Sequence, residues 1–308
     1  VSPPPTGGGL AVVVVNYASS DLLSQNLARV GADLPDALVV VVDCWSSPQE
    51  RRTVERLCAE QHWRLVALAD NRGFGGGMNA GAAVALAAGA DDLLLLNPDA
   101  VITAPAVALL RASVRSRRLR LVAPVIVDEA GTVWFSGIDL DLTDGSMHRA
   151  AVDAPKRAGR RRWLTGACLL VTRELWAATG GFDESYFLYW EDVDFSQRVV
   201  EAGGDLLVVG EATAVHQEGG TQHRPDARAK SSDYYYFNIR NRMRYAALHL
   251  DEPTVRRWQR TQLRAAYAIV LRGGRRQFLR PWAPLSAALR GVRDGRRTVR
   301  QRRVRPVS

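Results

Sequence analysis

Cysteine is scarce in this chain: Cys44, Cys58 and Cys168 are the three among 308 residues. Odd in number and without metal-ligand spacing, they exclude a complete disulfide framework and read as reduced thiols of a cytoplasmic protein, used as small core residues. Long apolar runs are missing too. LAVVVV (10–15) and LLLL (93–96) are strand-sized, against the roughly 18 to 20 residues of a membrane-spanning helix, so no integral membrane segment is expected. The opening VSPPPTGGG has neither a basic flank nor an apolar signal core, and residues 1–9 read as a disordered tail. There is no internal repeat.

Acidic residues are nearly absent from the far end. Residues 253–308 hold 16 arginines against one acid, a local balance of +15. The remaining 252 residues carry 25 basic and 31 acidic groups, or −6, within an overall net charge of +9. That asymmetry argues against a nucleic-acid-binding surface spread over the fold and for one cationic appendage.

What is present is apolar and alternating. With 47% hydrophobic residues the chain can bury a substantial core, as one large domain or two intimate halves. In the first hundred residues β-rich runs (LAVVVVNY, ALVVVVD, RLVALA, DLLLLNPD) alternate with helical patterns near 21–31, 48–61 and 75–88. Parallel neighbours need a crossover helix, so this alternation predicts an α/β fold with a mostly parallel central sheet flanked by helices. The runs are apolar on both faces, as a doubly covered sheet requires. Ligands of such sheets sit beyond the carboxyl ends of the strands, which here are Asn16 and Tyr17, Asp43, Asp70 to Gly77, and Asn97, Pro98 and Asp99. From 119 to 216 the pattern is mixed, with a basic loop KRAGRRR, and after 231 it is helical.

Several of these positions suit chemistry, each with a plainer reading beside it. NRGFGGGMNAG (71–81) joins a strand to a helix, where glycines let backbone N–H groups approach an anion; a simple glycine-rich turn competes. Asp43 suits a base imide or ribose hydroxyl, or a helix cap. Asp99, in NPD, suits a divalent cation bridging a diphosphate, or a turn. His216 ends the run LLVVGEATAVH before QEGG, where it could reach a metal or be structural. In FLYWEDVDFSQRVVEAGG (187–204) the acids Glu191, Asp192 and Asp194 crowd the first turn of a helix with Phe195, Val199 and Ala202 on one face and Gly203 as a stop. Capping explains one carboxylate. Three after an aromatic run suggest a raised proton affinity and a usable general base.

With VVNY, Asp43, NRGFGGGMNAG, NPD, LTGACLLVTRELWAATGGFDESYFLYWEDVDFSQR and AVHQEGGT in order over about residues 10 to 245, the chain resembles the family 2 glycosyltransferases of GT-A (nucleotide-diphospho-sugar transferase) fold, which invert the anomeric carbon. Within that family it looks most like bacterial rhamnosyltransferases that use dTDP-L-rhamnose. The resemblance implies a transferase domain over 10–250, with a nucleotide-sugar-binding half (10–100) and an acceptor and catalytic half (101–250), followed by a basic helical extension (251–308). It implies that Asn16, Tyr17 and Asp43 meet the nucleotide, that Asn71, Gly73, Phe74, Asn79 and Asn97 shape the donor pocket, and that Asp99 and His216 hold Mg²⁺ or Mn²⁺. Asp192 would be the catalytic base, with Glu191 supporting it or contacting acceptor. Two departures stand out: Asn97 replaces an acid that often opens the metal motif, and Trp45 replaces a usually small residue.

The basic end carries Trp258, Leu263, Tyr267, Ile269, Phe278, Leu279 and Trp282 among its arginines. That is the composition of a segment lying on an anionic membrane surface, where a polyprenyl-diphosphate-linked saccharide acceptor would fit; a solvated basic helix pair is the alternative. A nucleotide-sugar sensor without catalysis would need neither Asp192 nor His216, so an enzyme is the expected class.

Overall fold

The computed structural model describes residues 9–155, 157–216, 230–274, 277 and 282–304. Residues 1–8 of the expected tail 1–9, Lys156 of the basic loop, QEGG, Phe278, Leu279 and the terminal RPVS lie outside them, whereas Gly9 opens the first strand. Four strands rich in Val and Leu, β1 (Gly9–Asn16), β2 (Leu38–Cys44), β3 (Arg64–Leu68) and β4 (Ala90–Leu96), run parallel in the order β3–β2–β1–β4. Their crossovers are helical. Between β1 and β2 come α1 (Ser20–Leu22), a π-helical stretch Leu23–Leu27 and α2 (Ala28–Asp33). Helix α3 (Pro48–Glu60) starts on Ser47, whose hydroxyl accepts from Glu50 N, and α4 (Gly73–Ala87) leads into β4. The order reverses between β1 and β4, which opens a crevice at their carboxyl ends.

The second half of the sheet is mixed. After β5 (Ala100–Ile102) and α5 (Ala104–Val114), β6 (Arg120–Val127) carries β7 (Val133–Phe135) antiparallel to it. A small antiparallel sheet follows, from β8 (Ile138–Asp141), β9 (Met147–Arg149) and β10 (Arg160–Trp163). Strand β11 (Cys168–Thr172) returns to the main sheet between β4 and β6, antiparallel to both. Helices α6 (Arg173–Thr179) and α7 (Glu191–Glu201) then lead to β12 (Asp205–His216), parallel to β6 and antiparallel to β5. All three cysteines are buried in the core.

The helical end is no loose appendage. It comprises α8 (Ser232–His249), α9 (Glu252–Arg260), α10 (Gln262–Leu271) and α11 (Trp282–Val304). The run TVRRWQRTQLRAAYAIVL breaks at Thr261, whose hydroxyl donates back to Arg257 O and Trp258 O, a bond that bends helices. Trp258 and Ile269, expected on a surface-lying segment, are buried instead. Trp258 is fully enclosed because its indole N–H donates to Leu142 O at 2.9 Å while its ring meets Trp190 and Tyr245. Leu263, Tyr267 and Trp282 are exposed, as expected. Among the described residues no helix is long and apolar enough to cross a membrane.

One contact fixes the crevice. Helix α4 lies directly on β1 and β2 because Gly77 and Gly81 leave no side chain between: a Cβ at Gly77 would stand 2.8 Å from Val15 Cγ2, and one at Gly81 2.7 Å from Val42 Cγ2. Both distances are shorter than real Cβ contacts. Gly81→Ala is therefore expected to cost about 1–3 kcal/mol of stability, read as a lowered urea midpoint; an unchanged midpoint would contradict this packing.

Candidate active site

The backbone before α7 is unusual. Phe187, Tyr189 and Trp190 have φ of 65°, 63° and 73°, left-handed values that side-chain-bearing residues seldom adopt and that cost on the order of 1–3 kcal/mol each. Neighbours hold them there. Asn241 of α8, fully buried, brings its side-chain N–H₂ within 2.9 Å of Tyr186 O and Leu188 O and 2.7 Å of Tyr189 O. Arg240 donates to Ser185 O and Tyr186 O. From the other side Phe74 N donates to Phe187 O at 2.9 Å, and a Cβ on Gly73 would overlap that same carbonyl.

This clamped loop delivers the three acids to different fates. Asp194 is an anchor: buried, it accepts from Arg198 Nε (2.7 Å) and the Tyr186 hydroxyl (3.1 Å) and lies 2.8 Å from His249 Nε2. Asp192 stays partly exposed, with Oδ2 accepting from Gly166 N at 3.1 Å and Oδ1 from Val193 N at 2.9 Å. Loss of hydration pushes its carboxyl up to about 6, against the pull of those N–H groups. Glu191 is driven further, well above the carboxylate range, first by burial and then by the charges of Asp192 and Asp194. Its Oε2 is enclosed without a hydrogen-bond partner among the described residues. Of the two neighbouring carboxyls, Asp192 is thus the less strongly raised and the readier to ionise.

The expected metal pair is assembled by the sheet. His216 ends β12 opposite Ala100 of β5, and its Nε2 lies 3.1 Å from Asp99 Oδ1, with both side chains buried. The Trp134 ring stacks on the imidazole at 4.8 Å between centroids and 19° between planes. Neither ring nitrogen of His216 has a hydrogen-bond partner among the described residues. An enclosed carboxylate and an unsatisfied imidazole fit Mg²⁺ or Mn²⁺, which bind few protein ligands and complete their shells with phosphate and water. Among the described residues no third His, Cys, Asp or Glu joins the pair.

Gly166 and Ala167 join these parts. Gly166 N holds Asp192, a Cβ at Gly166 would stand 3.1 Å from the Phe74 ring, and Ala167 O accepts from Asn97 N at 2.9 Å. The base, the glycine loop and the Asn97–Asp99 turn therefore meet on one short segment.

Other expected residues serve the frame rather than an open pocket. Asn16 and Asp43 are fully buried: Asn16 donates to Asp43 Oδ1 (2.9 Å) and Glu50 Oε1 (3.1 Å), and Arg51 Nε donates to Asp43 Oδ2. Tyr17 (52% exposed) and Trp45 (38%) are the open groups at this edge, with the Arg51 guanidinium 5.2 Å from the Trp45 ring. Asn71 accepts from Gly73 N, and Asn79 is bonded to Phe182 and Glu184. The anion cradle expected at the start of α4 is occupied by protein, because Asn71 and Phe187 take its first two N–H groups. Sequence reasoning missed Asn241, Trp134, Gly166 and Arg51. Asn241 had a signal: it falls between Phe237 and Tyr245 at intervals of four, a polar residue on an aromatic stripe.

Asn241→Ala would strip Leu188 O and Tyr189 O of the amide donor and leave Tyr186 O to Arg240 and Leu188 N. The expected result is a loss of about 1–3 kcal/mol together with a collapse of turnover at temperatures where the variant is still folded; full activity in a folded variant would remove the clamp from the account.

Residues 4–246 match the model of the family described as glycosyltransferase like family 2. The N-acetylglucosaminyl-diphospho-decaprenol L-rhamnosyltransferase of Mycobacterium tuberculosis is 30% identical over 247 residues, covering 71% of this chain and 79% of that protein. Rhamnosyltransferase WbbL of Escherichia coli is 23% identical over 253 residues, 77% of this chain and 92% of its own length. Among solved structures, the mannosyltransferase PcManGT of Pyrobaculum calidifontis, in complex with GDP-Man and Mn²⁺, shares the fold with a TM-score of 0.55 at 16% identity, over 97% of this chain and 89% of that one. A strand order that reverses at β1, strand ends bearing the polar groups, and a family match over most of its length lead to one assignment: the chain has the GT-A fold and belongs to glycosyltransferase-like family 2.

Proposed function

We propose that this enzyme transfers L-rhamnose from dTDP-L-rhamnose, with inversion, to a saccharide carried on a lipid diphosphate in the assembly of a cell-wall or surface polysaccharide. The observation that carries the reading is Asp192: a partly exposed carboxylate of raised proton affinity, backed by Glu191 and joined through Gly166 and Ala167 to the Asp99 turn. The names of the rhamnosyltransferase relatives support the sugar and the lipid diphosphate.

In this reading Tyr17 and Trp45 receive the base at the strand edge that Asn16, Asp43 and Arg51 hold rigid. Asn71, Gly73, Phe74, Asn79 and Asn97 shape the donor side of the crevice by fixing its walls. Asp192 takes the proton of an acceptor hydroxyl as that oxygen bonds to the anomeric carbon, from the face opposite the leaving group. The electron pair of the broken bond leaves with dTDP. Asp99 and His216 would hold a divalent cation, which supplies charge neutralisation at the departing diphosphate. Burial and the neighbouring acids oppose a charge on Glu191, which favours placing the negative charge on Asp192. In this reading the basic helices meet the anionic inner face of the plasma membrane, where a lipid-linked acceptor would lie.

Asp192→Asn should keep donor affinity within a fewfold and lose transfer by about 10²–10⁴-fold; near-wild-type turnover would remove Asp192 from its role. Because the base must be ionised, kcat/KM should fall as pH drops through about 6, and a flat profile from pH 5 to 8 would contradict this assignment. In a panel of dTDP-, UDP- and GDP-sugars with Mg²⁺ or Mn²⁺, thermal stabilisation is expected with dTDP-rhamnose. Stabilisation by UDP-sugars alone would replace the donor.

A further inference from the structure

Helix α10 is built the wrong way round for a helix in contact only with water. Leu263, Tyr267 and Leu271, spaced by four, form a stripe that is 59%, 61% and 44% exposed. Water is a poor neighbour for such a stripe, and a contiguous exposed apolar surface marks a binding face. Immediately beside it, also spaced by four, Arg264, Ala268 and Arg272 line a cavity of about 250 Å³. That is room for a group much larger than one water, whose share of volume is about 30 Å³. Trp190 lines the same cavity, two residues before Asp192.

The cavity floor holds a third arginine under unusual constraint. Arg242 of α8 is 3% exposed. Its guanidinium lies 4.3 Å from the Trp258 ring, donates to Asp144 O and reaches Met243 Sδ at 3.6 Å. A Cβ at Gly145 would stand 2.7 Å from Arg242 Nε and 2.9 Å from Trp258, so the β8–β9 turn needs glycine there to let the cation lie flat. Burial pushes its pKa down to about 10, so it remains charged at neutral pH. Asp144, the acid in the lining, uses a carboxylate oxygen on Ser146 N and makes no salt bridge to Arg242. The bond recorded for Arg272 goes to the Tyr234 hydroxyl at 3.5 Å. A buried cation without a salt bridge is costly. Arg242 is buried and Arg264 and Arg272 are exposed at the same space, so three cations face one acid in the lining, Asp144, whose charge acts on Arg242, and leave a surplus of positive charge that an anion would relieve.

We propose that this cavity binds the diphosphate of an isoprenoid diphosphate, with Arg242, Arg264 and Arg272 on the phosphates and the Leu263–Tyr267–Leu271 stripe against the hydrocarbon chain. Charge complementarity selects the anion, and the adjoining apolar stripe distinguishes a lipid diphosphate from a nucleotide, whose base would need a polar edge. Trp190 then ties the anchored lipid to the loop that carries the base. The proposal rests on the transferase reading for its purpose, because the anchor holds the acceptor, but the site can be tested without turnover.

The experiment is a titration of the full chain, saturated with dTDP and Mn²⁺ to fill the donor site, with farnesyl diphosphate, inorganic diphosphate and farnesol, followed by Trp fluorescence and calorimetry. Farnesyl diphosphate should bind saturably, tenfold or more tightly than inorganic diphosphate, and farnesol weakly. Arg264→Ala/Arg272→Ala, changing two exposed residues, should weaken farnesyl diphosphate at least tenfold with dTDP binding unchanged. Leu263→Ser/Tyr267→Ser should erase its advantage over inorganic diphosphate. Binding that survives the arginine changes, or that appears only when dTDP is left out, would overturn the site. So would sedimentation with phosphatidylglycerol vesicles in the absence of saturable farnesyl diphosphate binding, which would assign the face to bulk bilayer. An active Asp192→Asn enzyme would sink the catalytic reading and leave this result standing.

Discussion

The segment that leads to Asp192 is a piece of backbone that would not hold its shape alone. Three residues in left-handed conformations precede α7, and each resists that geometry by an energy comparable to a hydrogen bond or two. What over-determines them comes from opposite ends of the chain. Asn241 reaches up from α8, and Gly73 with the Phe74 amide closes from the start of α4. The glycine loop therefore acts here by close approach of one backbone to another. A side chain at Gly73 would occupy the place of the Phe187 carbonyl, and Asp192 would lose its seat on Gly166 N with it.

Given that seat, electrostatics divides the acids. Hydrogen bonds decide Asp194, which is tied by Arg198 and Tyr186 and held beside His249. Burial decides Glu191, which lacks donors on its inner oxygen among the described residues. Asp192 lies between the two: two backbone N–H groups keep it ionisable, and partial burial keeps it basic. A charge on Glu191 would raise Asp192 further, and burial opposes that charge more strongly at Glu191 than at Asp192. At the Asp99–His216 pair, Trp134 stacks on the ring, whose nitrogens have no hydrogen-bond partner among the described residues.

Much of the fold was legible because it depends on local period. Alternating Val-rich runs and helices gave the parallel half of the sheet, its order of elements and the polar residues at the strand ends. Less legible was anything decided by contacts distant in sequence. Asp43 looked like a strand-end acceptor, yet Arg51 on the following helix and Asn16 on the neighbouring strand enclose it. The glycines of 73–81 looked like an anion cradle, yet Val15, Val42, Phe182 and Phe187 fill the space they leave. Trp258 counted as a surface aromatic by the arginines around it, whereas its indole N–H found Leu142 O, just past the end of β8. Composition cannot distinguish those two fates, because they differ in tertiary partner and not in neighbours along the chain.

In the proposed mechanism a base from α7 and a metal pair from the β4–β5 turn and β12 work on the same donor in one crevice. A crystal structure of the Asp192→Asn chain with dTDP-rhamnose and Mn²⁺ tests that most directly. It should show the ion on Asp99 and His216 bridging the diphosphate, the base beside Tyr17 and Trp45, and the substituted side chain turned toward the anomeric carbon on the face opposite dTDP. An ion bound away from His216, or a sugar whose open face points away from position 192, would contradict it.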